Sequence, residues 1–190
     1  MEFFKKFALS IHPVSDESFE KIFKVLSVEK FKKNHKLVKI GQRPVYTYIL
    51  KSGVVRSYNI DDNGKEHTKT IFTPITTSGN LGALIRNKPS KLIYECLTDS
   101  ELITIDYKAF YNLSMQHHDV SIFHYKILQK SYIREESKIL ELLMLNASER
   151  YQQLQNKYPK IDTLINQYHI ASYLNITPVQ LSRIKSKMIK

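Results

Sequence analysis

Gln167-Tyr-His-Ile-Ala-Ser-Tyr-Leu-Asn-Ile-Thr-Pro-Val-Gln-Leu-Ser-Arg-Ile-Lys-Ser-Lys-Met188 is the stretch that decides how this 190-residue chain is read. Ile170 and Leu174 lie four apart and share one face of a first helix. Ala171 is small where two helices must cross closely. Asn175 tolerates the left-handed backbone of a tight turn, and Ile176 can plug the corner behind it. Thr177-Pro178 then starts a second helix, with threonine as N-cap and proline at a position that needs no N–H. Leu181, Ile184 and Met188 form its expected buried stripe.

The other face of that second helix carries Val179, Gln180, Ser182, Arg183, Lys185, Ser186 and Lys187. A purely structural helical hairpin needs the stripe but not an acid-free basic face. The division suits a helix that enters a groove of duplex DNA, its flanking cations on phosphates. Arg183 can read guanine through its planar fork or hold a phosphate. Gln180 can read adenine or close a capping box with Thr177. Ser182 can touch base or backbone, Lys185 and Lys187 are expected on phosphates, and Lys190 in a solvated tail.

Charge supports a polyanionic partner. The formal net charge is +11 and the pI about 9.6. Residues 147–190 hold seven Lys and Arg against two Asp and Glu, while residues 1–146 hold 22 against 16.

Upstream of this segment the apolar period changes twice. From Val28 to Asp106, short strand-like runs alternate with turn chemistry, including Gly41, Ser52-Gly53 and the hairpin loop Asp61-Asp62-Asn63-Gly64. Seven or more such runs predict an antiparallel β-roll, barrel or sandwich. Pro74 to Pro89 breaks the rhythm and predicts a loop with a short helix. Ahead of the strands, Phe19, Ile22, Phe23 and Leu26 predict a helix over 15–26, capped by Ser15. After Asp106 the chain reads as helical: a short helix over 107–115, a long one over 119–145, and another over 149–158. The long helix, ~40 Å at the usual rise, carries Tyr125, Leu128, Tyr132, Ile139 and Leu142 along one face. A small domain cannot cover it, so it bridges two units or pairs with a second copy. The expected fold class is α+β, with a β-roll over 1–118, a linker and dimerisation helix over 119–145, and a helix-turn-helix domain over 146–190.

Other chemistry finds little support. Cys96 is the only cysteine, which excludes an internal disulfide and a cysteine-held cluster or zinc site; its apolar surroundings predict a buried, inert thiol. His35 and His67 are the only histidines of the β region, too few for a metal-holding barrel, and His117, His118 and His124 follow no ligand spacing. His169 is expected to be structural. No phosphate loop, nucleophile elbow or catalytic constellation occurs, so neither enzyme activity nor a cofactor nor a metal is expected. The start has no apolar run of signal-peptide length and no stretch approaches 18 apolar residues, so a cytoplasmic location without membrane contact is expected.

Ile170 to Thr177 with Leu181-Ser182-Arg183-Ile184, in this order after a β-roll and a long helix, resembles the Crp/Fnr regulators. Further pieces that carry the resemblance are Tyr48 to Arg56, Gly79-Asn80-Leu81-Gly82, Glu101 to Phe110 and Asn146 to Tyr151. It implies a cyclic-nucleotide-binding-like sensor, a homodimer joined by the long helix, a pseudo-palindromic duplex DNA site, and contact with RNA polymerase. The guanine-reading arginine of the family falls on Arg183. Two other base-contact positions fall on Pro178 and Val179, which cannot make the usual arginine and glutamate contacts, so the operator differs. The pocket differs too. Asn80 stands where cyclic-nucleotide members hold ribose with glutamate, and Ser90 where they hold phosphate with arginine; Lys91 offers only a point charge. Gly79, Asn80, Leu81, Gly82, Ser90 and Lys91 therefore mark a pocket for another small effector or for none, and no response to cyclic AMP is expected. The family's C-terminal wing strands are expected to be lacking. The competing class is a non-catalytic small-molecule or partner-binding module without DNA-binding function.

Overall fold

A computed structural model describes residues 1–188; Lys190 lies outside the described residues. The chain opens with α1 (Glu2–Leu9) and α2 (Asp16–Phe23), followed by β1 (Leu26–Phe31), β2 (Lys36–Val38), β3 (Tyr46–Ser52), β4 (Val55–Ile60), β5 (Glu66–Phe72) and β6 (Thr77–Ser78). After α3 (Leu81–Arg86) come β7 (Ile93–Cys96) and β8 (Ser100–Asp106), and the rest is helical. It comprises α4 (Tyr107–Gln116), α5 (His118–Met144), α6 (Ala147–Lys157), α7 (Ile161–Leu164), α8 (Gln167–Tyr173) and α9 (Pro178–Met188).

The strands form two four-stranded antiparallel sheets, ordered β1-β8-β3-β6 and β2-β7-β4-β5, which close into a roll. Leu50, Val55, Phe72, Tyr94, Cys96 and Leu102 fill its interior. Each sheet also has a covered outer side. Ile49, Ile103 and Ile105 alternate outward from that interior and meet Phe4, Phe7, Phe19, Phe110 and Phe123 from the helices. Their rings meet mostly edge to face, as Phe4 does with Phe19 and Phe123 at 6.2 Å. Asp119, in the first turn of α5, ties this layer together by accepting from the Ser15 N–H and the Ser18 hydroxyl, each at 2.9 Å.

Several sequence expectations change here. Helix α2 ends at Phe23 and Leu26 begins β1 instead, because Lys24 and Val25 close the helix with short i→i−3 bonds. The stretch Phe31 to Ile40, which reads in sequence as one strand-like run before Gly41, is split between β1 and β2 by a turn with Asn34 at φ 69°. Helix α1 was not expected. Helix α6 begins at Ala147, two residues before the expected 149, because Asn146 caps it: the Asn146 side chain accepts from the Ser148 and Glu149 N–H groups, and Glu149 accepts in return from the Asn146 N–H. The hairpin at Asp61–Gly64 forms as expected, with Gly64 at φ 78° and the Asp61 carboxylate accepting from the Asn63 and Lys65 N–H groups.

Candidate functional site

The helix-turn-helix is built by α8 and α9 around Ile170, Ala171, Leu174 and Leu181, all fully buried. Complete burial of a Leu or Ile side chain contributes roughly 1.5–3 kcal/mol, so these four positions fix the crossing. Asn175 adopts φ 56° in the turn, and the Ile176 N–H closes it on the Ala171 carbonyl at 3.0 Å. Arg150 of α6 braces the same corner by donating to the Leu174 carbonyl at 3.0 Å. At the start of α9 the Gln180 N–H donates to Thr177 Oγ1 at 3.2 Å, while Gln180 Oε1 accepts from the Thr177 N–H at 2.8 Å. That is a reciprocal capping box.

Outward, the second helix presents Val179, Gln180, Ser182, Arg183, Ser186 and Lys187 to solvent. Lys185 is placed differently. Its ammonium is half-buried and paired with Asp162 at 2.9 Å. Burial pushes the Asp162 carboxyl up, but hydrogen bonds from Tyr151, Lys185, Gln167 and Gln155 outweigh that and hold it below its ordinary value. Met188, expected in the buried stripe, is 40% exposed. The last turn of α9 runs past the apolar cluster, which reaches only to Ile184.

This helical unit is docked on the roll. Val54, Ile71 and Leu97 of the roll share one apolar cluster with Tyr151, Leu154, Ile161, Ile165 and the α8–α9 core. Strand β5 is a sheet edge, and the Ser172 hydroxyl of α8 serves two of its backbone groups. It accepts from the Thr68 N–H and donates to the Glu66 carbonyl, both at 2.9 Å. Beside it, Arg56 is 2% exposed, bonded to Glu95 at 2.7 and 2.9 Å and to Glu66 at 2.6 Å, and stacked 3.7 Å from the Tyr58 ring. Ser172 did not stand out in the sequence as a joint between the two halves, nor Arg56 as the buried ion-pair centre of the sheet it docks on. His169 sits in the same seam, where burial, helped by Arg56, pushes its imidazole down to about 4. From the long helix, Lys138 reaches the Tyr173 carbonyl at 3.3 Å and the Tyr173 ring at 3.5 Å, and burial pushes its ammonium down to about 8.

A cavity of about 1130 Å³ opens between the roll, α3 and α5. Gly79, Asn80, Leu81, Gly82, Ser90 and Lys91 all border it. Asn80 spends its side chain locally: Oδ1 caps α3 through the Ala83 N–H, and Nδ2 donates to Ser90 Oγ at 2.7 Å. Ser90 in turn donates to the Leu92 carbonyl at 2.5 Å. The two positions expected to matter for a nucleotide are thus bonded to each other.

Along α5, Tyr125, Tyr132 and Ile139 are 59%, 67% and 58% exposed, and Leu143 and Met144 extend the apolar surface at 76% and 75%. Leu128 departs from this row, half-buried against the cavity. Cys96 is fully buried, and burial pushes its thiol up to about 11. Among the described residues no group of three or more His, Cys, Asp or Glu side chains could hold a metal ion, and no helix is long and apolar enough to cross a membrane.

Residues 28–117 match the family model of the cyclic nucleotide-binding domain. Solved structures extend the likeness over nearly the whole chain. FixK2 from Bradyrhizobium japonicum is 17% identical with a TM-score of 0.74, covering 86% of this chain and 84% of its own. The c-di-GMP-responsive global regulator Clp from Xanthomonas campestris is 17% identical, with a TM-score of 0.68 and coverage of 92% and 91%. A Crp/Fnr-family protein from Eubacterium rectale is 16% identical, with a TM-score of 0.70 and coverage of 90% and 82%. No curated protein sequence matches the chain. At these identities the likeness is one of fold.

Proposed function

The chain has a Crp/Fnr-family transcriptional-regulator fold, a cyclic-nucleotide-binding-like roll followed by a helix-turn-helix, and on that premise we propose that it is a sequence-specific, non-enzymatic DNA-binding regulator acting in the cytoplasm as a homodimer. The observation that carries this reading is the outer face of α9. It is exposed, holds Arg183 and Lys187, and lies in a segment with no acidic residue after Asp162. Such a face meets phosphates through its cations while the N-terminal half of the helix reaches base edges.

Within the reading, roles are narrower than residue types alone suggest. Arg183 is the base reader. Gln180 and Thr177 hold the helix start, Ser182 and Lys187 contact the backbone, and Val179 offers an apolar contact to a thymine methyl. Lys185 contributes its charge from the Asp162 pair. The exposed row of Tyr125, Tyr132 and Ile139 supports pairing of α5 with a second copy, which places two recognition helices on a two-fold site. RNA polymerase is a further partner of a regulator of this type. The mutual bonding of Asn80 and Ser90 supports independence from cyclic AMP, since neither is free for ribose or phosphate.

Gel-shift titration on the promoter DNA of its own operon, at several salt concentrations, tests this. Arg183→Ala is expected to weaken binding by about 1–3 kcal/mol and relax discrimination at one base position. Lys187→Ala is expected to weaken binding to all duplexes and flatten the salt dependence by about one ion. Absence of a shift at low salt, or indifference to both changes, refutes the reading in favour of a binding module that does not touch DNA.

A further inference from the structure

The cavity between the roll and the long helix is walled largely by Tyr48, Phe72, Leu92, Tyr94 and Leu128. A nucleotide buried there would need a partner for each ribose hydroxyl, phosphate oxygen and base edge, because polar groups buried without one are penalised. The polar groups deepest in the wall are already bonded within the protein. Asn80 and Ser90 are bonded to each other, the Tyr94 hydroxyl donates to the Gly79 carbonyl at 3.0 Å, and the Tyr48 hydroxyl to the Leu37 carbonyl at 3.5 Å.

Two lining residues keep a buried polar atom without a partner, on adjoining pieces of wall. Ser78 is 3% exposed and its hydroxyl has no hydrogen-bond partner. Arg134 comes across from α5 and donates to the carbonyl of the neighbouring Thr77 at 3.1 Å; its guanidinium lies 5.2 Å from the Phe72 ring, and its Nε is buried without a partner. The carboxylate in the wall, Glu135, is paired with Lys69 at 2.9 Å, and Arg134 has no ion pair among the described residues. Lys69, Arg86, Lys88 and Lys91 also border the cavity, but from solvent-exposed positions; the enclosed pair of Arg134 and Ser78, set against an apolar wall, selects a ligand with one buried acid group and a large hydrocarbon body.

We propose that this cavity binds an amphipathic monocarboxylate, its acid group held by Arg134 and Ser78 and its aliphatic or aryl body lying on Tyr48, Phe72, Leu92 and Leu128. The ligand bridges the roll, through Ser78, to the long helix, through Arg134. Its use as an effector rests on the regulator reading; its binding does not.

Calorimetric titration of the full chain in the absence of DNA tests the site, with decanoate, decanol and cyclic AMP as probes. Decanoate is expected to saturate at one per chain below the concentration at which it forms micelles. Decanol is expected to bind at least about tenfold more weakly, and Arg134→Gln to weaken decanoate by a similar factor, as the loss of a charge-assisted bond requires. Ser78→Ala is expected to lower affinity by about threefold, a neutral hydrogen bond being worth less. Should Arg134→Gln fail to fold by circular dichroism, Ser78→Ala and Ser78→Val carry the test. No saturation with decanoate, equal binding of decanol, unchanged affinity in the variants, or tighter binding of cyclic AMP each overturns the proposal. Gel shifts run separately keep the two readings apart: decanoate binding without a DNA shift sinks the regulator and leaves the site, and a DNA shift without decanoate binding does the reverse.

Discussion

Ser172→Ala removes one oxygen atom, yet it is expected to loosen the joint between the two halves of the molecule. The Ser172 hydroxyl bonds two backbone groups of the edge strand β5, the Thr68 N–H and the Glu66 carbonyl. An ordinary hydrogen bond contributes about 0.5–1.5 kcal/mol net, and a buried donor left without a partner costs about 1–3 kcal/mol. Thr68 is only 7% exposed, so water reaches its N–H poorly once the hydroxyl is gone. The Glu66 carbonyl is less enclosed and can be rehydrated. Together these predict a loss of about 2–3 kcal/mol, which for a chain of this size lowers Tm by roughly 5–10 °C. The assay is thermal and urea unfolding followed by far-ultraviolet circular dichroism, with Ser172→Thr as a control that keeps the hydroxyl. A loss below about 0.5 kcal/mol for the alanine variant, typical of unexceptional surface changes, would mean that the Thr68 N–H finds another partner and that Ser172 does not hold the seam.

Other expectations follow from the charges. Burial raises the Asp119 carboxyl, but hydrogen bonds from Ser15, Ser18 and Val120 prevail and hold it at about 2. Because the unfolded carboxyl titrates near 4, its stabilisation is complete above that pH and fades as pH falls towards 2; Asp119→Asn should therefore melt earlier at pH 7 and match the unaltered chain near pH 2. Lys138 shows the opposite sense. Its ammonium is lowered to about 8 by burial, so the folded chain releases its proton before the unfolded one and stability should rise with pH from about 8 to 9.5. A Lys138→Met chain lacks that rise, and equal pH profiles of urea midpoint for the two would refute the assignment. For the long helix, Tyr132→Glu places a charge in the exposed apolar row, and sedimentation should report a shift from dimer to monomer at micromolar concentration. An unchanged dimer would place the contact elsewhere.

The local rules of sequence were most informative where backbone chemistry is specific. Thr177-Pro178, Asn175 and the Leu181 spacing defined two helices and a turn that the structure places over the same residues. The Asp61 to Gly64 loop gave its hairpin for the same reason. Helix α1 was legible in principle from Phe3, Phe4, Phe7 and Ala8 at helical spacing, but eight residues give a weak period. Lys185 illustrates what composition cannot show. Its charge reads as a phosphate contact until Asp162, 23 residues earlier, is seen to face it. Ser172 was invisible as a joint because its partners lie on β5, and no local pattern encodes a contact spanning about a hundred residues; Arg56 was missed for a similar reason, its carboxylate partners lying on two other strands. Asn80 and Ser90 could be read as departures from a nucleotide site; that they satisfy each other is a property of the fold, which brings residues ten apart within 2.7 Å.

The apolar cluster that runs from Val54, Ile71 and Leu97 into the α8–α9 core has a consequence for how such a molecule can diversify. The helix-turn-helix unit is not a detachable cassette: swapping in a foreign one would leave three roll side chains facing surfaces they were not shaped for. Change is cheap only on the outward face of α9, where Val179, Ser182 and Arg183 lie exposed. Whatever that face binds, new specificity is therefore reached by substitution at a few exposed positions, with the roll inherited intact, and domain shuffling is the costlier route.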